Sequence, residues 1–249
     1  MILDGKVAAI YGAGGSIGRA IARAFAREGA RVFLAGRTLA PLDELASSIG
    51  SDGGRADAAI VDATDQVAVN AFVDHVVADA GHLDISVNVI GVGDVQRPLM
   101  DLSPAEFLQP IDTATRTQFV TTKAAARHMI VQRGGVILAF GGGGPQTIPG
   151  LGGFKVALDA VESLRRQWSV ELGQYGIRVV TIKTGGITET LPRDIDGREA
   201  IIESIEQATL LRRTATLSDV GNVAAFVASD AARTMTATDI NISCGALVD

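Results

Sequence analysis

The sequence has one cysteine, Cys244, so no internal disulfide framework can staple it. It has no basic excess either: a formal net charge of −6 and a pI near 5.1 exclude the basic face that nucleic acid or an anionic membrane surface needs. No uninterrupted apolar run of about 18 residues occurs, so no membrane span is expected. The opening Met1-Ile2-Leu3-Asp4-Gly5-Lys6 lacks the apolar centre of a secretion signal, and the chain reads as cytoplasmic. His75, His82 and His128 are scattered without metal-ligand spacing, so no metal site is expected. These absences leave a small molecule as the expected partner.

What is present is one large core's worth of apolar sequence. With 249 residues, 47% of them hydrophobic, a single domain over residues 1–249 is expected. Val7 to Tyr11 is an apolar run that breaks into Gly12, Gly14, Gly15 and Gly18, with Ser16 and Ile17 between, and then opens a helical pattern at Arg19. Strand, tight turn and helix in that order leave backbone N–H groups and the positive end of a helix dipole aimed at one spot, where a pyrophosphate can rest on bare main chain. Short β-branched runs then alternate with helical segments to the end of the chain. Strands are expected at Arg31–Ala35, Ala56–Val61, Asp84–Val89, Val136–Phe140, Arg178–Ile182 and about Asp239–Ile242. Helices are expected at Leu39–Ile49, opened by Thr38 and Pro41, and at Asp65–Ala80, about Asp112–Gln132, about Gly152–Tyr175 and Ser218–Ala228. A polar excursion at about 184–216 carries a further helix near Arg198–Leu210. The implied fold is α/β: a doubly wound, seven-stranded parallel, Rossmann-like sheet that binds ligands beyond the carboxyl ends of its strands.

Taken together, these residues resemble the short-chain dehydrogenase/reductase family over nearly the whole chain. Leu3-Asp4-Gly5-Lys6-Val7 is similar to that family's opening, Gly12 to Gly18 to its Thr-Gly-x-x-x-Gly-x-Gly turn, and Asp84 to Gly91 to its Asn-Asn-Ala-Gly strand end. Gly176-Ile177-Arg178-Val179 and Leu211 to Ala231 also match family signatures. The resemblance implies a dinucleotide held by Gly12, Gly15, Ser16, Ile17, Gly18, Asp62, Ala63, Asn88, Ile90 and Thr188, in a homo-oligomer, dimer or tetramer. Gly36-Arg37 ends the second strand, where a small residue followed by arginine admits and pairs with the 2′-phosphate of NADP; NADP(H) is therefore expected over NAD(H), with loss of the cofactor as the alternative.

The same resemblance implies a proton-transferring tyrosine, a lysine four residues on, a serine and an asparagine. Aligned without a gap, those positions hold Phe154, Leu158, Gly141 and Ala114. Phenylalanine has no proton to give. Neither Tyr11 nor Tyr175 begins a Tyr-x-x-x-Lys, and Lys183-Thr184-Gly185 stands where the family has proline before glycine. Family members that reduce enoyl groups keep the lysine, and Leu158 argues against those as well. Candidate replacements are Lys155, one turn before Leu158, and Gln146 and Thr147, which follow the Gly141 to Gly144 loop; the plain alternatives are a solvated helix-start lysine and ordinary turn residues. The expectation is therefore an atypical oxidoreductase-like member acting on a small carbonyl or related compound without the tyrosine and lysine. The alternative is a non-redox cyclase, isomerase or lyase, or a catalytically inactive binding subunit, on the same scaffold.

Overall fold

A computed structural model describes residues 1–93, 95–141 and 147–248. Seven strands form one parallel sheet in the order β3-β2-β1-β4-β5-β6-β7. They are β1 (Val7–Tyr11), β2 (Arg31–Gly36), β3 (Arg55–Ile60), β4 (Ile85–Asn88), β5 (Gly135–Gly141), β6 (Ile177–Lys183) and β7 (Thr238–Asn241). The central strands β1 and β4 are buried at every residue, as expected of a parallel sheet covered on both faces; β1 is a continuous apolar run, while β4 also buries the polar Ser86 and Asn88.

Helices α1 (Ser16–Arg27), α2 (Ala40–Ser51) and α7 (Leu217–Ala228) supply one layer. There Ile21, Phe25, Leu42 and Val220 pack with Ile10, Leu34 and Val180 of the sheet. On the opposite face α3 (Gln66–Ala80), α4 (Pro104–Gln132) and α5 (Gly152–Leu172) bring Phe72, Val73, Met129 and Leu172 against Ala9, Tyr11, Phe33 and Val179. Because successive strand residues point to opposite faces, β6 sends Val180 and Ile182 to the first layer and Ile177 and Val179 to the second. Strand order reverses between β1 and β4, and the glycine turn opens at that switch point.

The largest departure from the sequence expectation is α4, which begins at Pro104 and not near Asp112. Ser103 caps it: its hydroxyl accepts from the Glu106 N–H, while the Glu106 carboxylate accepts from the Ser103 N–H, a reciprocal capping box. Pro110 lies inside the helix, where proline ordinarily signals a boundary. Three shorter corrections concern helix ends. Helix α2 starts after Leu39 with no side-chain cap, so Thr38 does not open it. Helix α5 yields at Leu172 to a 3-10 turn, Gly173–Tyr175. The excursion's helix, α6 (Arg198–Gln207), stops before Leu210 where the Thr209 hydroxyl takes the Glu206 carbonyl. Among the described residues, no helix is long and apolar enough to cross a membrane.

Candidate functional site

The turn after β1 is built by close approach. A Cβ on Gly18 would stand 2.3 Å from the Gly12 carbonyl oxygen, and one on Gly12 would stand 2.7 Å from the Val89 carbonyl oxygen, with φ of +81° there as a second demand for glycine. Gly15 is the N-cap of α1, is exposed and offers no side-chain cap, so the first N–H groups of that helix are left to a ligand or solvent. Ser16 is exposed beside it and Ile17 packs inward against the core.

Around this turn lies a cleft of 430 Å³ at the carboxyl edge of the sheet. Of the expected cofactor residues, Gly12, Gly15, Arg37, Asp62, Ala63 and Ile90 line it. Arg37 is exposed. The Asp62 carboxyl sits below the usual carboxylate range because its Oδ1 accepts from the Thr64 N–H at 2.9 Å and the Thr64 hydroxyl at 2.7 Å, with a smaller contribution from Arg37. Asn88 lies just beneath: its Oδ1 accepts from the Ile90 N–H and its Nδ2 donates to the Thr121 hydroxyl, so it braces the β4 end that forms the cleft floor. Thr188 stands apart from this lining, its hydroxyl 3.0 Å from that of Thr214.

Gln109, Thr113 and Thr117 also line the cleft; Gln109 was missed because the start of α4 was set too late, whereas Thr113 and Thr117 lay inside the expected helix with no local pattern to mark them. The available signal was Ser103-x-x-Glu106. Gln109 Nε2 donates to the Val92 carbonyl at 2.9 Å and to the Thr113 hydroxyl at 3.2 Å, fastening the segment after β4 onto α4.

Farther along the same edge stands an apolar wall. Gly141 closes β5 with φ of +117°, and a Cβ added to it would lie 2.8 Å from Leu158 Cδ2, so the two residues fill one space between them. Ala114 of α4 is buried against Ala139, Ala157 and Val161, and Phe154 lies one turn before Leu158 on α5. Neither tyrosine reaches this wall. Tyr11 is buried edge-on against Phe72, and burial pushes its phenol well above the ordinary value. Tyr175 follows the far end of α5, roughly 30 Å from Phe154 along the helix axis.

Lys155 is held by Asp159 of the next turn at 2.5 Å. Thr147 is exposed. Gln146 and Gly142 to Gly144 lie outside the described residues. Among the described residues no group of His, Cys, Asp and Glu side chains is arranged to hold a metal ion.

Comparison with known proteins places this geometry in a family. A family model described as enoyl-(acyl carrier protein) reductase matches residues 12–246. The oxidoreductase UcpA of Salmonella typhimurium is 32% identical, with 98% of this chain and 95% of that protein covered. A short-chain dehydrogenase/reductase of Serratia marcescens superposes with a TM-score of 0.89 at 26% identity over 99% of both chains. A 7α-hydroxysteroid dehydrogenase solved with NADH and 7-oxo glycochenodeoxycholic acid superposes with a TM-score of 0.87 at 28% identity, covering 99% of this chain and 96% of that one. The chain belongs to the short-chain dehydrogenase/reductase family and is similar to its oxidoreductases.

Proposed function

We propose that the protein is an NADP(H)-dependent oxidoreductase of small carbonyl compounds that works without the family's tyrosine and lysine. The observation that carries the cofactor reading is the cleft itself. The exposed Arg37 guanidinium and the Asp62 carboxylate stand in its wall at one end of an uncapped helix N-terminus. Gly12 and Gly15 would hold the pyrophosphate on main chain, Asp62 and Ala63 the adenine side, and Arg37 the 2′-phosphate. A reduced nicotinamide bound there supplies a hydride at the apolar wall. Gly141, Leu158, Phe154 and Ala114 shape that wall and exclude water, and they offer no titratable side chain.

Replacing Arg37 with alanine tests the preference. NADPH affinity is expected to fall about tenfold or more, the loss of one charge-assisted phosphate contact, with NADH affinity nearly unchanged in calorimetry. Equal losses for both cofactors would remove the NADP assignment. The contact between Gly141 and Leu158 favours one second reading, a non-redox catalyst or binding subunit with a deliberately apolar cleft. Failure of every nicotinamide cofactor to bind selects it.

A further inference from the structure

The family's proton donor is missing from the wall, yet a lysine is buried directly beside it. Lys183 ends β6, only 5% of its side chain is exposed, and it pairs in register with Gly141 of β5. Neighbouring parallel strands run about 4.8 Å apart. Alternation along β6 puts Lys183 on the face of Ile177 and Val179, the side covered by α4 and α5 and therefore the side of Leu158 and Phe154. Its ammonium lies 2.6 Å from Oδ2 of Asp239 on β7, a carboxylate whose side chain is 26% exposed. The buried charges on α5, Glu162 and Arg165, pair with each other, both guanidinium bonds running to Glu162 Oε2 at 2.8 and 3.0 Å. A lysine out of water is costly to keep unless a carboxylate or a function retains it. Of the other three lysines, Lys6 precedes β1, Lys123 is exposed on α4, and Lys155 on α5 is held by Asp159 of the next turn.

We propose that Lys183 is the proton donor of the carbonyl reduction, with Asp239 as the carboxylate that keeps it charged and returns its proton from solvent. This rests on the cofactor reading above. In the step, the carbonyl carbon accepts the hydride and is reduced while the nicotinamide is oxidised. The carbonyl oxygen gains an O–H bond as a Lys183 Nζ–H bond breaks. The neutral amine beside Asp239 then takes a proton from water at the exposed side of that carboxylate. The flexible four-carbon stem lets the ammonium swing between the carboxylate and a substrate oxygen.

The sequence has only four lysines, Lys6, Lys123, Lys155 and Lys183, so carbon-13 labelling of lysine at Cε gives four signals, and Lys183→Met identifies one. Spectra of the full chain saturated with NADPH and with NADP⁺ are compared, with calorimetry confirming occupancy. The oxidised ring adds a positive charge at the wall, so the Lys183 signal is expected to differ between the two complexes while those of Lys6 and Lys123 stay fixed. With a panel of aldehydes and ketones, Lys183→Met is expected to lose about 100-fold or more of NADPH turnover while binding NADPH within threefold of the parent, the loss typical of removing a general acid. Lys183→Arg, which keeps the charge and the fold but is a poor acid, is expected to lose turnover as well. An unmoved Lys183 signal with both cofactors bound, or parental turnover in Lys183→Met, overturns the proposal. Absence of binding by either cofactor overturns the cofactor reading first, and this inference with it.

Discussion

At the scale of single residues, one close contact sets the apolar wall. A Cβ at 141 would stand 2.8 Å from Leu158 Cδ2, so a side chain there has to displace the leucine methyl. Gly141→Ser is expected to cost about 1–3 kcal/mol in urea unfolding, from overpacking and from the left-handed φ. Gly141→Ser combined with Leu158→Ala is expected to cost less than the sum of the two single changes, because the second removes the obstructing methyl. Strict additivity would show that the two side chains do not compete for one volume. Residue-level legibility in the sequence was uneven for a physical reason. Arg37, Asp62 and Gly12 belong to short local turns whose chemistry is written in consecutive letters. Lys183 owes its environment to Gly141 on one neighbouring strand and Asp239 on the other, 42 residues earlier and 56 later, and no local pattern carries that register.

Among elements, caps decide where helices begin and how they respond to acid. Helix α7 opens on Thr216, whose hydroxyl accepts from the Asp219 N–H at 3.0 Å, while Asp219 accepts from the Thr216 N–H at 2.9 Å. Those bonds hold the Asp219 carboxyl below the usual range, the backbone N–H of Thr216 contributing most. A depressed folded-state pKa contributes stability above the unfolded value near 3.9, and that contribution is lost as pH falls through the folded value. Thr216→Ala is expected to cost about 1 kcal/mol at pH 7. The cost should shrink in thermal unfolding below about pH 4, where Asp219 is protonated in the unfolded chain and progressively in the folded one. A cost unchanged down to pH 2 would contradict the capping assignment. Helix α4 shows the limit of periodicity as a guide: its interior Thr-rich run made the helix plain from Asp112 onward, whereas its first two turns are specified by a cap and a proline.

Taken whole, the doubly wound parallel sheet was legible because short strand runs alternate with helical periods along the chain, whereas the strand order comes from the structure. Assembly is a separate matter. Phe119 of α4 and Trp168 of α5 lie with ring centroids 5.7 Å apart, and Phe119 remains 42% exposed, as Val156 and Val170 of α5 are exposed. The reading as a homo-oligomer predicts a dimer or tetramer in light scattering and a smaller species for Phe119→Glu, which would place a charge in an apolar contact. A parent chain that scatters as a monomer at micromolar concentration would contradict it.

The proposed reading, a dinucleotide enzyme with displaced proton chemistry, rests on the glycine turn, the Arg37 and Asp62 cleft and the apolar wall. The measurement that bears on this most directly is a calorimetric titration of the unmodified protein with NADPH and, separately, NADH. One NADPH site per chain, at least tenfold tighter than NADH, is the expected result. No heat of binding from either cofactor at millimolar concentration would contradict it.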